Sequence, residues 1–374
     1  MERVLWYLNK YAPPGCEMVF ALMKMIINYP LKAKVYPLRE YFTFFDFFKS
    51  LIDYYRILIH ERPQVIIGRR KGLNLVLLSL FSKIIIRIES FPSIPESLTL
   101  VDKLNLIKTK LIYKRASKII AISQKIKEYL IQEYNVPNSK IVVIYNPCDV
   151  ELVRELSHEP LNKSEEELFS HQAILNVGRL VEIKGQWNLI RAFKKVNDEL
   201  PNTRLVIIGE GPLRKYLEKL IIDLRLLGKA IILSWRNNPF KYMARSALFC
   251  LPSLKEGFPN VVVEALACGL PVMSADCLSG PREILAPGTE YKVEKLRKPE
   301  YGEYGILMPV FDGKMYKADD PLTWQEEMWA EEIIKLLKNP EILENYRQRA
   351  KRRAMDFEAK KQVQKYFDVI FNQS

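Results

Sequence analysis

The chain has 374 residues, 48% apolar and 27% charged with only 15 glycines, a composition that excludes disorder, collagen and low-complexity repeats. Its length suggests two domains, each large enough to bury its own core. Charge is uneven: residues 1–150 carry 23 Lys and Arg against 12 Asp and Glu, while the remainder carries 34 against 32, so a basic surface suited to phosphate-rich partners belongs to the first half.

In chain order, Arg3 to Leu8 alternates and reads as a strand, Tyr11-Ala12-Pro13-Pro14-Gly15 as a loop, and Met18 to Ile27 as a helix. Tyr41-Phe42-Thr43-Phe44-Phe45-Asp46-Phe47-Phe48 with Tyr54-Tyr55 reads as an aromatic-rich helix. Short apolar runs at Val65 to Ile67, Ile84 to Ile88, Ile119 to Ile122 and Ile141 to Ile144 look like buried parallel strands. Residues 147–170, with Pro147, Pro160 and Glu165-Glu166-Glu167, read as a linker. The pattern then restarts with strands at Ala173 to Gly178, Arg204 to Ile208, Ala230 to Leu233, Ala247 to Leu251 and Pro271 to Ala275, and a helix from Gln186 to Leu200. Two doubly wound parallel-sheet domains follow from this alternation, with ligands beyond the carboxyl ends of the strands, so that the loops at Gly15, Gly178, Gly209 and Glu256 are expected to face one interdomain cleft.

The cysteines Cys16, Cys148, Cys250, Cys268 and Cys277 are odd in number and contain no C-x-x-C pair, which fits a reducing compartment and argues against a zinc knuckle. No signal segment is expected at the start, and the most apolar stretch, Leu73 to Ile88, is interrupted by Asn74, Ser79, Ser82, Lys83 and Arg87, so no membrane span is expected. No helix-turn-helix, zinc or RNA-binding motif supports a nucleic-acid partner.

Chemistry concentrates in the second half. Pro259 suits a first helical turn and Gly269-Leu270-Pro271 its end, which delimits a helix of about three turns whose free amides favour a phosphate. Glu256 precedes this helix. Glu264 lies on it among valines, alanine and leucine, where a ribose diol could supply donors, as could a neighbouring loop or a lysine. Val177-Gly178-Arg179-Leu180 with Lys184-Gly185 carries two cations five residues apart, suited to a diphosphate or simply exposed at a turn. Gly209-Glu210-Gly211-Pro212-Leu213-Arg214 has Arg where a dinucleotide fingerprint needs its third glycine, and reads as a turn.

Together these segments resemble the nucleotide-binding domain of family 4 (group 1) glycosyltransferases of the GT-B fold. The likeness rests on Gly178-Arg179 with Lys184-Gly185, Gly209-Glu210-Gly211-Pro212, Glu256-Gly257-Phe258-Pro259-Asn260 with the E-x7-E spacing to Glu264, and Cys277-Leu278-Ser279-Gly280-Pro281-Arg282-Glu283. The last segment is similar to members of surface-polysaccharide or lipid-linked glycan assembly. In the first half Gly15 sits in a segment similar to the family's glycine-rich first loop, and Asn146-Pro147 resembles its domain junction.

The resemblance implies an acceptor-binding, membrane-facing domain over 1–165, a nucleotide-sugar-binding domain over 166–350, and a C-terminal helix over 351–374 crossing back. It implies that Arg179 and Lys184 neutralise a donor diphosphate, that the Gly257, Phe258, Pro259 and Asn260 loop holds phosphate and sugar beside Gly15 and Gly178, that Glu264 binds ribose and that Glu256 contacts the sugar. No cofactor or metal is then needed, and the reaction retains anomeric configuration. The implied activity is transfer of a hexose or N-acetylhexosamine, UDP-linked, to a lipid-linked or polysaccharide acceptor on the cytoplasmic, inner membrane face. The alternatives are an epimerase of the same fold and an inactive membrane- or nucleic-acid-binding relative.

Two departures stand out. Gly15-Cys16 replaces paired glycines, and Glu89-Ser90-Phe91 stands where many relatives carry a histidine, Glu89 being either a substitute contact or base or a structural carboxylate. The histidines are His60, His158 and His171. The basic series Lys108, Lys110, Lys114, Arg115 and Lys118, with the aromatics and the charge excess, suggests peripheral attachment to an anionic leaflet.

Overall fold

A computed structural model describes residues 2–22, 33–37, 44–69, 82–91, 99–290 and 296–371. The chain forms two compact units, one joining the segment up to Pro147 with that from Ala359, the other running from Cys148 to Glu358.

In the first unit β1 (Val19–Leu22) and β2 (Lys34–Pro37) form a parallel pair, and β3 (Val65–Arg69), β4 (Lys83–Ile88), β5 (Lys118–Ala121) and β6 (Ile141–Val143) form a parallel sheet in chain order. The four expected buried runs are these four strands. Parallel neighbours need crossovers, and the helices Leu100–Arg115 and Gln124–Tyr134 supply them after β4 and β5. The first of these helices starts sharply because Thr99 and Asp102 form a reciprocal capping box.

Two expected elements near the start are replaced by others. Arg3 to Leu8 lies in a helix, Glu2–Lys10, and not in a strand. Val4, Tyr7 and Leu8 are buried at i, i+3 and i+4, one helical face, and pack with Ile85, Ile120 and Ile144 of the sheet region and with Val363, Tyr366 and Phe367. The helix expected from Met18 is β1 where it is described; its residues 23–27 lie outside the described residues, as do 41–43 of the aromatic run and 73–81 of the apolar stretch.

The domain limits also move. The helix Val150–Ser157 packs against Phe240–Met243 and Asn260–Ala267, so this segment belongs to the second unit. The acidic run expected as a linker is a helix, Lys163–Phe169, capped by Asn162; its Glu165 meets Lys241 at 2.9 Å and accepts the Tyr242 hydroxyl. At the other end Lys351 to Ala354 closes the helix Pro340–Ala354 within the second unit, and the segment that joins the first unit is the helix Ala359–Phe371.

The second unit is built on β7 (Gln172–Val177), β8 (Thr203–Ile208), β9 (Ala230–Leu233), β10 (Leu248–Leu251), β11 (Val272–Ala275), β12 (Glu300–Tyr301) and β13 (Ile306–Met308), in the order β12-β13-β11-β10-β7-β8-β9. Only β12 runs antiparallel to its neighbour. The six parallel strands therefore follow the doubly wound order 3-2-1-4-5-6, whose winding reverses between β7 and β10. Buried Trp187, Phe193 and Trp329 fill one face of this sheet. Within that core Arg191 bonds Glu326 at 2.8 Å and the Pro321 carbonyl at 2.8 Å, locking the helix Gln186–Glu199 to the helix Trp324–Lys338.

Candidate active site

The winding reversal places two loops side by side at the carboxyl ends of β7 and β10, where a doubly wound sheet opens a crevice. One runs from Gly178 to Gly185, the other from Pro252 to Pro259. They are stitched together: the Leu254 amide donates to the Ile183 carbonyl at 2.9 Å, and below them Asn176 Nδ2 donates to the Cys250 carbonyl at 2.8 Å. Gly185 holds φ +63° with the Pro252 carbonyl oxygen 2.4 Å from where a Cβ would stand, so only glycine fits this contact.

Across the stitch Lys184 Nζ lies 2.5 Å from Glu256 Oε1, and Ser253 Oγ donates to the same oxygen at 2.8 Å. Both ends of this pair are largely buried, yet neither is in the core. The pair unites two of the residues singled out in the sequence. Arg179 belongs to the same β7 loop; its carbonyl accepts from Gln186 Nε2 at 3.0 Å, and its side chain is exposed to solvent.

A third loop buttresses the first. The Leu180 amide donates to the Glu210 carbonyl at 2.8 Å, and the Leu213 amide returns to the Leu180 carbonyl at 3.1 Å. A Cβ on Gly209 would stand 2.0 Å from the Gly178 oxygen. The segment Gly209 to Pro212 is thus a packing turn, as its departure from the dinucleotide pattern suggested.

The helix Asn260–Ala267 follows the β10 loop and, at eight residues, has just over two turns. Pro259 is its N-cap and not a first-turn residue. Because the Val262 amide is the one that reaches back to the Pro259 carbonyl, at 3.0 Å, the Asn260 and Val261 amides precede the helical ladder. The loop before it is held from beneath: Ser279 Oγ donates to the Gly257 carbonyl at 2.6 Å, and Gly280, at φ +95°, passes Pro259 so closely that a Cβ would lie 2.5 Å from its Cδ. Phe258 turns inward, its ring 5.5 Å from that of Phe357, so any contact it offers a ligand is through its backbone. Glu264 sits on the helix with 6% of its surface exposed.

Supporting residues to which the sequence assigned no role of their own are Ser253, Gln186 and Arg282. Arg282 is buried and bonds Asp276 at 2.6 Å and Glu300 at 2.7 Å, which anchors the Cys277 to Gly280 turn. Burial pushes the Cys277 thiol well up, and the nearby Glu256 and Asp276 charges push the same way, so this cysteine is an inert neutral group beside the pair. Among the described residues no group of three His, Cys, Asp or Glu side chains is placed to hold a metal ion.

Two candidates lie in the other unit. Gly15, at φ +80°, is in the turn closed by the Cys16 amide to the Pro13 carbonyl at 3.1 Å; it follows a helix and precedes β1, so it is not in the expected strand-to-helix loop. Glu89 follows β4 and is paired with the buried Arg87, whose guanidinium also donates to Tyr366 Oη at 2.7 Å and Asn146 Oδ1 at 2.5 Å. This network holds Glu89 in place at the end of β4.

A doubly wound unit joined to a second parallel-sheet unit is the make-up of the GT-B class. Residues 154–295 match the family described as glycosyl transferases group 1, and residues 28–152 match glycosyltransferase family 4; the chain belongs to this family. It is 36% identical over 271 residues to an uncharacterised glycosyltransferase of Methanocaldococcus jannaschii, a match covering 71% of this chain and 66% of that protein. It is 31% identical over 248 residues to the Campylobacter jejuni N-acetylgalactosamine-N,N'-diacetylbacillosaminyl-diphospho-undecaprenol 4-alpha-N-acetylgalactosaminyltransferase, covering 66% of this chain and 58% of that one. The chain thus spans somewhat under two thirds of the length of these curated relatives. Among solved structures a Rickettsia africae glycosyltransferase superposes with a TM-score of 0.77 at 14% identity over 100% of this chain and 94% of that one. HepE of Anabaena, solved with UDP and glucose, does so with a TM-score of 0.74 at 18% identity over 99% and 95%. At such identities the likeness to solved structures carries the fold alone.

Proposed function

We propose that the chain is a retaining, metal-independent glycosyltransferase that moves a hexose or N-acetylhexosamine from a UDP-sugar to a lipid-linked or polysaccharide acceptor at the cytoplasmic face of an anionic membrane. The observation that carries this reading is the Lys184–Glu256 pair at the switch point, beside the start of the helix Asn260–Ala267. Cation, carboxylate and helix start are the three groups a sugar diphosphate needs. The ammonium of Lys184 and the guanidinium of Arg179 neutralise the diphosphate, the Gly257 to Asn260 loop holds its oxygens, Glu264 accepts from the ribose hydroxyls, and Glu256 accepts from the hydroxyls of the sugar. Gly178 keeps the β7 loop close to this ligand, and Glu89, held by Arg87, offers a polar contact to the acceptor.

The chemistry these groups support is same-face displacement. The bond from the anomeric carbon to the diphosphate oxygen breaks, the acceptor oxygen bonds to that carbon on the same face, and the acceptor proton passes to the departing phosphate. Fixed positive charge stabilises the leaving group as its charge develops. The Campylobacter relative's name specifies a diphospho-undecaprenol acceptor and the Anabaena structure holds UDP, which supports choosing UDP and a lipid-linked acceptor here.

The test is a thermal-shift screen with UDP-, GDP- and ADP-sugars followed by transfer assays. A UDP-sugar at about 100 times its dissociation constant is expected to stabilise the protein by about 2.7 kcal/mol. Glu256→Ala is expected to lower transfer by at least about 100-fold. Unchanged turnover in that variant contradicts the assignment.

A further inference from the structure

The helix Leu100–Arg115 carries a feature that donor binding does not use. Leu100, Leu104, Ile107 and Leu111 are 75%, 60%, 65% and 44% exposed. Their four-three-four spacing aligns them in one stripe along a 16-residue helix, about 24 Å long. The opposite side is the docked one, where Ile112 and Tyr113 are buried. Advancing 100° per residue, Lys103, Lys110 and Lys114 border the stripe on one side and Lys108 and Arg115 on the other. The helix's one acid, Asp102, is consumed in the capping box with Thr99. Lys118, the last of the basic series, is separate: it lies on β5 and its ammonium donates to the Ser139 carbonyl at 3.0 Å.

We infer that this helix is the element that enters an anionic leaflet, its leucine–isoleucine stripe lying among the acyl chains and its two basic borders against the lipid phosphates. The inference deepens the membrane-face reading above and rests on it. Charge decides the occupant. Pairing with a second copy through the same stripe would set lysine borders against lysine borders with no exposed acid on the helix to relieve them, whereas an anionic surface complements both borders at once. Each Lys or Arg near such a surface strengthens binding roughly fivefold, and each apolar side chain removed from water adds about tenfold. The arrangement is that of a helix lying in the interface plane and not spanning it. Among the described residues no helix is long and apolar enough to cross a membrane.

The experiment is vesicle flotation of the full chain with phosphatidylcholine alone and with added phosphatidylglycerol, comparing the wild type with a Leu104→Glu/Ile107→Glu variant. UDP binding in both proteins reports that the second unit is intact, and circular dichroism reports that the first is. The expected result is flotation that needs phosphatidylglycerol, weakens with salt, and falls at least roughly tenfold in the variant. If the wild type floats and the folded variant floats equally well, the helix is the wrong element while the membrane-face reading survives. If the wild type does not float at all, both fall. A dimer that dissociates in the variant with flotation unchanged assigns the stripe to self-association and overturns the inference.

Discussion

Replacing Lys184 by Met is expected to lower kcat/KM by about 10³-fold, roughly 4 kcal/mol of transition-state stabilisation, in a steady-state transfer assay. Two effects combine. The ammonium proposed to meet the leaving diphosphate is gone, and the Glu256 carboxylate, which bonds Lys184 at 2.5 Å, is left facing an incoming anion with the Ser253 hydroxyl donating to it. Loss of attraction is thereby joined by repulsion. The double variant Lys184→Met/Glu256→Gln removes the stranded charge, so it is expected to bind the donor more tightly than the single Lys184→Met variant. The double-mutant cycle then gives a coupling above about 1 kcal/mol, as for charged groups in direct contact. Additive effects would mean that the two side chains act apart. Lys184 and Glu256 bond each other here; on the proposed reading a bound donor draws the ammonium to its diphosphate and the carboxylate to its sugar.

The second large effect is expected at a position that touches no ligand. Gly209→Ala puts a methyl group 2.0 Å from the Gly178 carbonyl oxygen, a backbone atom fixed by the paired strands β7 and β8. No side-chain movement relieves that overlap, so the variant is expected to lose about 3 kcal/mol or more in urea denaturation, at the upper end of overpacking costs. UDP affinity should fall with it, since the β8 loop holds the β7 loop through the Leu180–Glu210 and Leu213–Leu180 backbone bonds. Gly228 is the control. At φ +70° with no atom within 4 Å of a built Cβ, its alanine variant is expected to lose only about 1 to 2 kcal/mol, the cost of left-handed backbone. Equal losses at the two glycines would show that the loops are not in the contact described.

The strands of the second unit were legible because buried parallel strands are continuous apolar runs between glycine and proline turns, and each expected run lies within one or two residues of a strand from β7 to β11. The beginning of the chain was not. Val4, Tyr7 and Leu8 satisfy a helical stripe while their neighbours still read as alternation, and only the helix Ala359–Phe371, over 350 residues away, settles which period is buried. The same distance effect hid the domain limit, since Glu165 looks like linker charge until Lys241 and Tyr242 are placed beside it. Within the site, residue types pointed to Lys184 and Glu256 separately, but a contact between residues 72 positions apart follows from the winding order and not from spacing. Ser253 and Ser279 were given no role of their own from the sequence, because their role is to hold carboxylate and carbonyl oxygens that the fold brings to them.

The most direct measurement is calorimetric titration of UDP and of uridine into the wild type and into Lys184→Met. If the loops after β7 and β10 grip a diphosphate, UDP binds the wild type at least about 100-fold tighter than uridine, near 2.7 kcal/mol, and that advantage shrinks below about tenfold in the variant. An advantage of the same size in both proteins, or none in the wild type, would contradict the account.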